Sequence, residues 1–301
     1  MTIERALMMA KKSPSSLILS ISGTTWDLIS QGPITLSAGT QYTITNPSST
    51  KTIQFAVLLW GAGGGNSVRT DMTVSYGGQG GFTAGTYTMN PSTNFYALAG
   101  YKGNGMQGDN YAGAGGGAAS AIYSTSNTTI PYAVAGGGGG DCAIGAAGTV
   151  NGGKGGGTTG EQGFPQSGGA RGGGGGTQSA GGSGGYGDRG YGSSGTYRNG
   201  GDGYTDYARG YLGGTGWGNG GTGWYKWSDG GQGGGGGGYY GGGGGGATSY
   251  GAAGGGGSGY IGVLTSSLIS AETIQGVGTH PLRGTFGNSG TNGGIILYYP
   301  T

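Results

Sequence analysis

The sequence predicts a mainly β fold in which strands frame a glycine-rich lattice and α-helix is scarce. Glycine supplies 88 of the 301 residues, and most of these glycines lie between residues 61 and 262. Apolar runs alternate with glycine blocks, as where Phe55–Trp60 leads into Gly61–Gly65. The chain ends in another apolar run, Gly293–Tyr299, which we expect to close a sheet with an early strand.

The first part of the chain has few glycines, and its sequence predicts ordinary β structure. Turn residues separate a series of strand-like runs. The predicted strands are Ser16–Ser20, Thr25–Ile29, Ile34–Leu36, Gln41–Thr45 and Lys51–Trp60. A short helix over Ile3–Lys12 precedes them. We therefore predict a β-rich attachment module over residues 1–50 and a glycine-rich domain over residues 51–301.

Between residues 145 and 260 the sequence predicts no strands and consists largely of near-pure glycine blocks. These blocks are Gly152–Gly157, Gly172–Gly176, Gly233–Gly238, Gly241–Gly246 and Gly254–Gly257. Each is about two turns of an extended left-handed helix with three residues per turn and no internal hydrogen bonds. Every backbone N–H and C=O group must then bond to a neighbouring segment. Segments without Cβ atoms can approach closely enough to do so.

An ordered series of motifs carries a family resemblance. The motifs are Phe55–Gly65, Gly77–Gly81, Ala112–Ser120, Tyr132–Gly140 and the ending Gly254–Gly259 with Gly290–Tyr299. They resemble the glycine-rich domain of the extracellular region of anaplastic lymphoma kinase and of many phage and bacterial proteins. The ending looks like that of the phage members. The resemblance implies β-strands framing a bundle of polyglycine-II helices, in a phage virion protein. Distal tail-fibre adhesins of T-even-like phages also place variable loops between glycine-rich segments.

Composition excludes several functional classes. The net charge is +2, from 13 basic and 11 acidic residues, so no basic stripe indicates nucleic acid. No apolar run is long enough to enter a membrane, and we recognise no secretory signal. The only histidine is His280, the only cysteine is Cys142, and Asp202 and Asp206 read as solvated loop residues. We expect no catalytic site, cofactor or metal.

Aromatic side chains supply the candidate binding site. Residues 186–260 form an aromatic loop region that contains 14 of the 26 Tyr and Trp residues. Such rings give large, rigid contacts at low entropic cost. The receptor-binding candidates are Tyr204, Tyr207, Tyr211, Trp217, Trp224, Tyr225, Trp227, Tyr239 and Tyr240. An equally open interpretation is that these rings cap the glycine lattice.

These observations predict a non-enzymatic phage virion protein, a tail-fibre or tail-tip adhesin that binds a host-surface polysaccharide or outer-membrane protein. Residues 1–50 would join it to other virion proteins. Assembly into a homo-oligomer is compatible with this role. The alternatives are a head fibre or capsid decoration protein without a receptor role, and a secreted bacterial matrix or filament protein.

Overall fold

The computed structural model describes residues 16–107, 111–144, 148–165, 169–205, 210–226, 229–247 and 250–300. Within them the regular structure is mainly β, and the helix consists of one 3-10 turn, Pro281–Arg283. The strands are β1 Ile18–Ile21, β2 Thr24–Asp27, β3 Ile34–Leu36, β4 Gln41–Thr45, β5 Ile53–Trp60, β6 Ser67–Val68, β7 Val74–Ser75, β8 Phe82–Met89, β9 Asn94–Leu98, β10 Ser120–Ser124, β11 Pro131–Ala135, β12 Cys142–Ile144, β13 Gly148–Val150, β14 Tyr186–Gly187, β15 Gly190–Tyr191, β16 Gly210–Tyr211, β17 Gly223–Lys226, β18 Asp229–Gln232, β19 Glu272–Ile274 and β20 Gly294–Tyr298.

Two larger sheets pack face to face and form a β-sandwich. One has the strand order β11-β10-β9-β4-β1-β2, and the other has the order β19-β8-β5-β20-β3. Their inner faces share one core, in which Ile44 and Phe95 of the first sheet meet Phe55 and Ile295 of the second. Burial of such side chains is worth about 1.5–3 kcal/mol each.

Strand β5 is buried on both faces, which explains its unbroken apolar sequence. Phe55, Val57 and Leu59 belong to the sandwich core. Leu58 and Trp60 point the other way and pack in a second cluster with Phe82, Val277 and Ile296. The Trp60 indole N–H donates to Val277 O at 2.8 Å, so its polar atom is satisfied.

The predicted closing strand is confirmed. β20 pairs antiparallel with β5 and also with β3. β4, another strand of the first fifty residues, pairs with β9. Strands within residues 16–50 therefore belong to the same two sheets as strands of the predicted glycine-rich domain, and residue 50 is not a boundary between sheets. Residues 1–15, including the predicted helix, lie outside the described residues.

The glycine blocks are held by backbone hydrogen bonds to several neighbouring segments. In Gly233–Gly238, successive N–H groups donate to three different segments, and residues three apart return to the same segment. The bonds run from Gly233 to Ala252, Gly234 to Ala114, Gly235 to Gly201, Gly236 to Gly255, Gly237 to Gly117 and Gly238 to Arg198. The glycine blocks between residues 152 and 257, together with the segments that bond to them, are called the glycine bundle below.

Glycine is required in the bundle because the backbones touch. A Cβ atom on Gly236 would lie 2.1 Å from Gly137 O, and one on Gly244 would lie 2.0 Å from Asp202 O. Neither glycine has a positive φ, so left-handed conformation is not the reason for glycine here. Lack of space excludes any side chain at these positions.

The prediction that strands disappear between residues 145 and 260 is wrong in detail. The described residues of this region form six short strands, β13 to β18, each of two to four residues. They pair locally as hairpins or as a three-stranded sheet. Turn geometry between bundle segments creates them, and no apolar pattern in the sequence signals their presence.

The chain crosses the bundle repeatedly, so its turns gather at two ends. At the sandwich end, Gly218 bridges Ala119, and Tyr260 bridges Val134 of β11. We call the end of the bundle that is farther from the sandwich the outer end. The outer-end bridges join Gly190 to Ala247 and Ala252 to both Gln232 and Pro165. Six extended residues, such as Gly233–Gly238, separate the two ends by roughly 15–20 Å.

Candidate functional site

The predicted aromatic residues divide between the two ends of the bundle. The structure brings Trp217, Tyr239 and Tyr240 together at the sandwich end. Tyr204, Tyr211 and Trp224 lie at the outer end, as does the backbone of Tyr225 in β17. Tyr207 and Trp227 lie outside the described residues. The candidates within the described residues therefore do not form one surface.

At the sandwich end the rings form a packed cluster. Tyr239 stacks on Tyr260 with ring centroids 4.3 Å apart. Tyr197 packs edge-on against Trp217, Tyr239 and Tyr240 at 5.5–6.1 Å. Such pairs contribute about 0.5–1.5 kcal/mol each beyond area burial. Burial raises the pKa of both Tyr197 and Tyr239.

Trp217 is the centre of this junction and is only 1% exposed. Its indole N–H donates to Thr128 O at 3.1 Å, and the Tyr197 hydroxyl donates to Thr129 O at 2.6 Å. The Arg198 guanidinium lies 4.7 Å over the Trp217 ring. The cluster thus attaches the glycine bundle to the loop between β10 and β11. Trp217 has no surface left for a receptor in this arrangement.

The outer-end candidates are half-buried. The Tyr204 ring covers Gly190, where a Cβ would lie 2.1 Å from Tyr204 Cε2. Trp224 faces Gly210 across a strand pair, and its buried indole nitrogen has no hydrogen-bond partner among the described residues. Tyr211 packs beside the buried Met106. Glycines opposite these rings make room for them to lie flat on the lattice.

Two exposed aromatic side chains at the outer end were not among the predicted candidates. Tyr186 and Tyr191 are direct cross-strand partners in the β14–β15 hairpin and are 43% and 74% exposed. The Arg171 guanidinium lies 4.8 Å over the Tyr186 ring. Exposed Asp188 and Arg189 form the turn. The symmetric sequence Tyr-Gly-Asp-Arg-Gly-Tyr is a hairpin signal that could have identified this feature.

Two further exposed tyrosines lie at the same end. Tyr76 is 52% exposed, and its N–H donates to the side chain of Asn151. Tyr250 is 39% exposed, and its backbone lies against Gly230. The outer end therefore presents several tyrosine rings on short loops that a hydrogen-bonded scaffold holds in place.

Asp141 is a fully buried carboxylate beneath the outer end. It accepts two hydrogen bonds of 2.7 Å from Ser67, one from the backbone N–H and one from the hydroxyl. Burial raises the pKa of the Asp141 carboxyl to about 8, although the bonds from Ser67 act in the opposite direction. Because the Asp141 side chain is 0% exposed, it cannot contact a substrate.

Cys142 and His280 have structural surroundings. The Cys142 thiol is buried and donates to Gly231 O. Burial raises its pKa well above the usual value, so the reactive thiolate is suppressed. His280 accepts from the Leu282 N–H through Nδ1, and its ring packs against Trp60 and Phe82. Burial lowers the pKa of His280.

Metal groups, membrane spans and similarity to known proteins complete the description of the site. In the described parts of the chain, no group of three or more His, Cys, Asp or Glu side chains could hold a metal ion. No helix there has the length and apolar character needed to span a bilayer. The chain matches no protein-family model and no curated protein at a significant level.

Proposed function

We propose that this protein is a phage virion adhesin whose outer end binds a receptor on the host surface. The observation that carries the proposal is the concentration of exposed tyrosines at that end. Tyr186 and Tyr191 lie on one hairpin, and Tyr76 and Tyr250 lie on other loops of that end. Binding residues commonly occupy loops that a rigid scaffold positions.

The composition of this surface supports recognition. Tyrosine offers an apolar face and a polar hydroxyl while losing little conformational entropy, and glycine and serine allow close approach. Arg171, Asp188 and Arg189 add charge of both signs around the Tyr186 ring. Such a surface suits a polysaccharide or the polar loops of an outer-membrane protein.

We further propose that the bundle segments are polyglycine-II helices. A helix with three residues per turn directs successive N–H groups to three neighbours and repeats after three residues. The donors of Gly233–Gly238 follow that order. The near-contact of Gly236 with Gly137 O fits the close packing that such helices need. Strand pairing would instead direct N–H groups alternately to two neighbours.

In this proposal the sandwich faces the virion and the outer end faces the host. The sandwich contains the strands of residues 16–50, and the junction around Trp217 joins it to the bundle. Attachment through residues 1–50 to other virion proteins would then leave the outer loops free. The protein would be part of the particle. The proposal holds for a single copy and for a homo-oligomer.

The test scores assembled particles for incorporation and for adsorption to host cells. Tyr186→Ala with Tyr191→Ala should lower adsorption by more than tenfold, because a few aromatic anchors of about 2 kcal/mol or more dominate binding. Ile130→Ala is the matched control, since Ile130 is 52% exposed in the loop between β10 and β11. Normal incorporation and adsorption in every outer-end aromatic variant would instead favour a decoration protein.

A further inference from the structure

A cleft of about 400 Å³ lies on the flank of the bundle, between Tyr101 near the sandwich and Leu212 beside β16. Two neighbouring extended segments, residues 101–104 and 212–215, line it. The segments are joined by hydrogen bonds from the Tyr101 N–H to Thr215 O and from the Asn104 N–H to Leu212 O, at 2.8 and 3.1 Å. The volume falls within the range of small-molecule sites.

The floor of the cleft is backbone with unused hydrogen-bonding groups. Gly213 and Gly214 carry no side chains, so the floor is flat between Leu212 and Thr215. Neither the N–H nor the C=O group of Gly213 has a hydrogen-bond partner within the described ranges. A ligand in the cleft could satisfy both groups.

Tyr101 provides an aromatic wall that is fixed in place. Its ring lies over Gly39, where a Cβ atom would come within 2.2 Å of the ring carbons and the hydroxyl. The residue is nevertheless 44% exposed. A fixed, half-exposed ring offers a flat apolar face with little entropy left to lose on binding. Leu212, 66% exposed, lines the cleft from the other segment.

The polar groups of the lining carry positive charge and hydrogen-bond donors. The Asn292 side-chain oxygen accepts from the Lys102 N–H at 3.1 Å. Its amide nitrogen is therefore left to donate elsewhere, and no described residue accepts from it. Lys102 is exposed and has no ion-pair partner among the described residues. Among the residues that the structure describes, no Asp or Glu lines the cleft.

We propose that this cleft binds an acidic sugar residue of a surface polysaccharide. The sugar ring would stack on Tyr101, its carboxylate would meet Lys102, and its hydroxyls would bond to Gly213, Thr215 and Asn292. Stacking faces with a few convergent polar groups are the features of a pre-formed site. The site is separate from the outer-end loops and does not depend on their receptor role.

Ligand titrations of the full chain by saturation-transfer NMR test this site. The probes are the methyl glycosides of glucuronic and galacturonic acid, with the neutral methyl glucoside and galactoside as matched controls. We expect millimolar binding of at least one acidic sugar and weaker binding of its neutral counterpart. Sodium acetate is a third arm, and saturation by acetate alone would assign the cleft to simple carboxylates and overturn the sugar proposal.

Variants locate the binding. Lys102→Gln should weaken the acidic sugar about fivefold and leave the neutral sugar unchanged, as expected for one exposed charge pair. Tyr101→Ala should abolish both, whereas Tyr101→Phe retains the ring and the binding. Ile130→Ala, in the loop between β10 and β11, is the control without effect. Loss of folding in Tyr101→Ala would leave Lys102→Gln to decide. No binding of either acidic sugar, or unchanged binding in Lys102→Gln, would overturn the proposal.

Discussion

The β-sandwich and the glycine bundle are stabilised in opposite ways within one chain. In the sandwich, Phe55, Leu59 and Ile295 are fully buried, and side-chain packing supplies the driving force. In the bundle, the buried residues are largely glycines such as Gly236, with backbone hydrogen bonds to several neighbours. One region buries side chains, and the other buries peptide groups.

The difference shows how a chain so rich in glycine can remain ordered. Each ordered glycine costs about 0.5–1 kcal/mol relative to alanine, and each intramolecular hydrogen bond returns about 0.5–1.5 kcal/mol. These quantities are of similar size, so a lattice in which nearly every group is bonded offsets the cost. A buried group without a partner costs about 1–3 kcal/mol, which makes the lattice intolerant of defects.

The largest expected effect is a side chain inserted into the bundle. Gly236→Val should destabilise the protein by more than about 4 kcal/mol, because the new Cβ would overlap Gly137 O. Chemical denaturation with circular dichroism measures this. Gly174→Ala is a milder control, since its Cβ meets first the rotatable Ser183 hydroxyl, at 2.9 Å. Equal stability of Gly236→Val and wild type would remove the contrast between the two regions.

A core truncation in the sandwich should have the next largest effect. Phe55→Ala should cost about 3–5 kcal/mol, because it leaves a cavity beside Tyr87 and Phe95. The same unfolding titration measures it, and Phe55→Leu, which keeps most of the volume, should lose much less. Equal losses in the two variants would show that this core is not closely packed.

Per pH unit, the smallest expected effect is a pH dependence that originates in the bundle. Burial raises the folded-state pKa of Asp141 to about 8, above the ordinary value of 3.8. The folded state therefore binds more protons than the unfolded state between these values, and stability falls as pH rises from about 4 to about 8. The slope from this group is at most about 1.4 kcal/mol per pH unit.

Asp141→Asn should flatten this slope, because the amide does not titrate. Its oxygen can accept from the Ser67 N–H, and its nitrogen can donate to the Ser67 hydroxyl oxygen. Thermal melts of both proteins across that pH window supply the measurement. The half-buried Asp27, whose pKa is lowered by hydrogen bonds from the Leu17 and Ile29 backbone, contributes only at more acidic pH. A slope that persists in Asp141→Asn would assign the dependence to other groups.

The sequence predicts the sandwich better than the bundle for a physical reason. Apolar runs predict buried strands, and β5 and β20 were both identified in this way. β8 was missed because small residues and Gly85 interrupt its pattern. The structure explains Gly85, since a Cβ there would lie 2.7 Å from the Leu264 Cβ. Side chains encode strand pairing in the sandwich, whereas glycine amides are identical and do not encode their partners.

The candidate site shows the same limit. Composition located the aromatic region, but spacing did not separate the buried Trp217 from the half-buried Trp224. That distinction depends on which turns meet β10 and β11, which is a property of the bundle register. The exposed pair Tyr186 and Tyr191 required the hairpin to be recognised. The flank cleft at Tyr101 arises only when distant segments become neighbours.

Amide hydrogen exchange, resolved by residue, tests most directly the claim that the bundle is held by its backbone. We expect the N–H groups of Gly233–Gly238 and Gly254–Gly257 to be protected as strongly as those of Val57 and Leu59 in β5, with exchange limited by global unfolding. Fast exchange of these glycines beside a protected β5 would contradict the account, because the bundle would then lack the hydrogen bonds on which its stability depends.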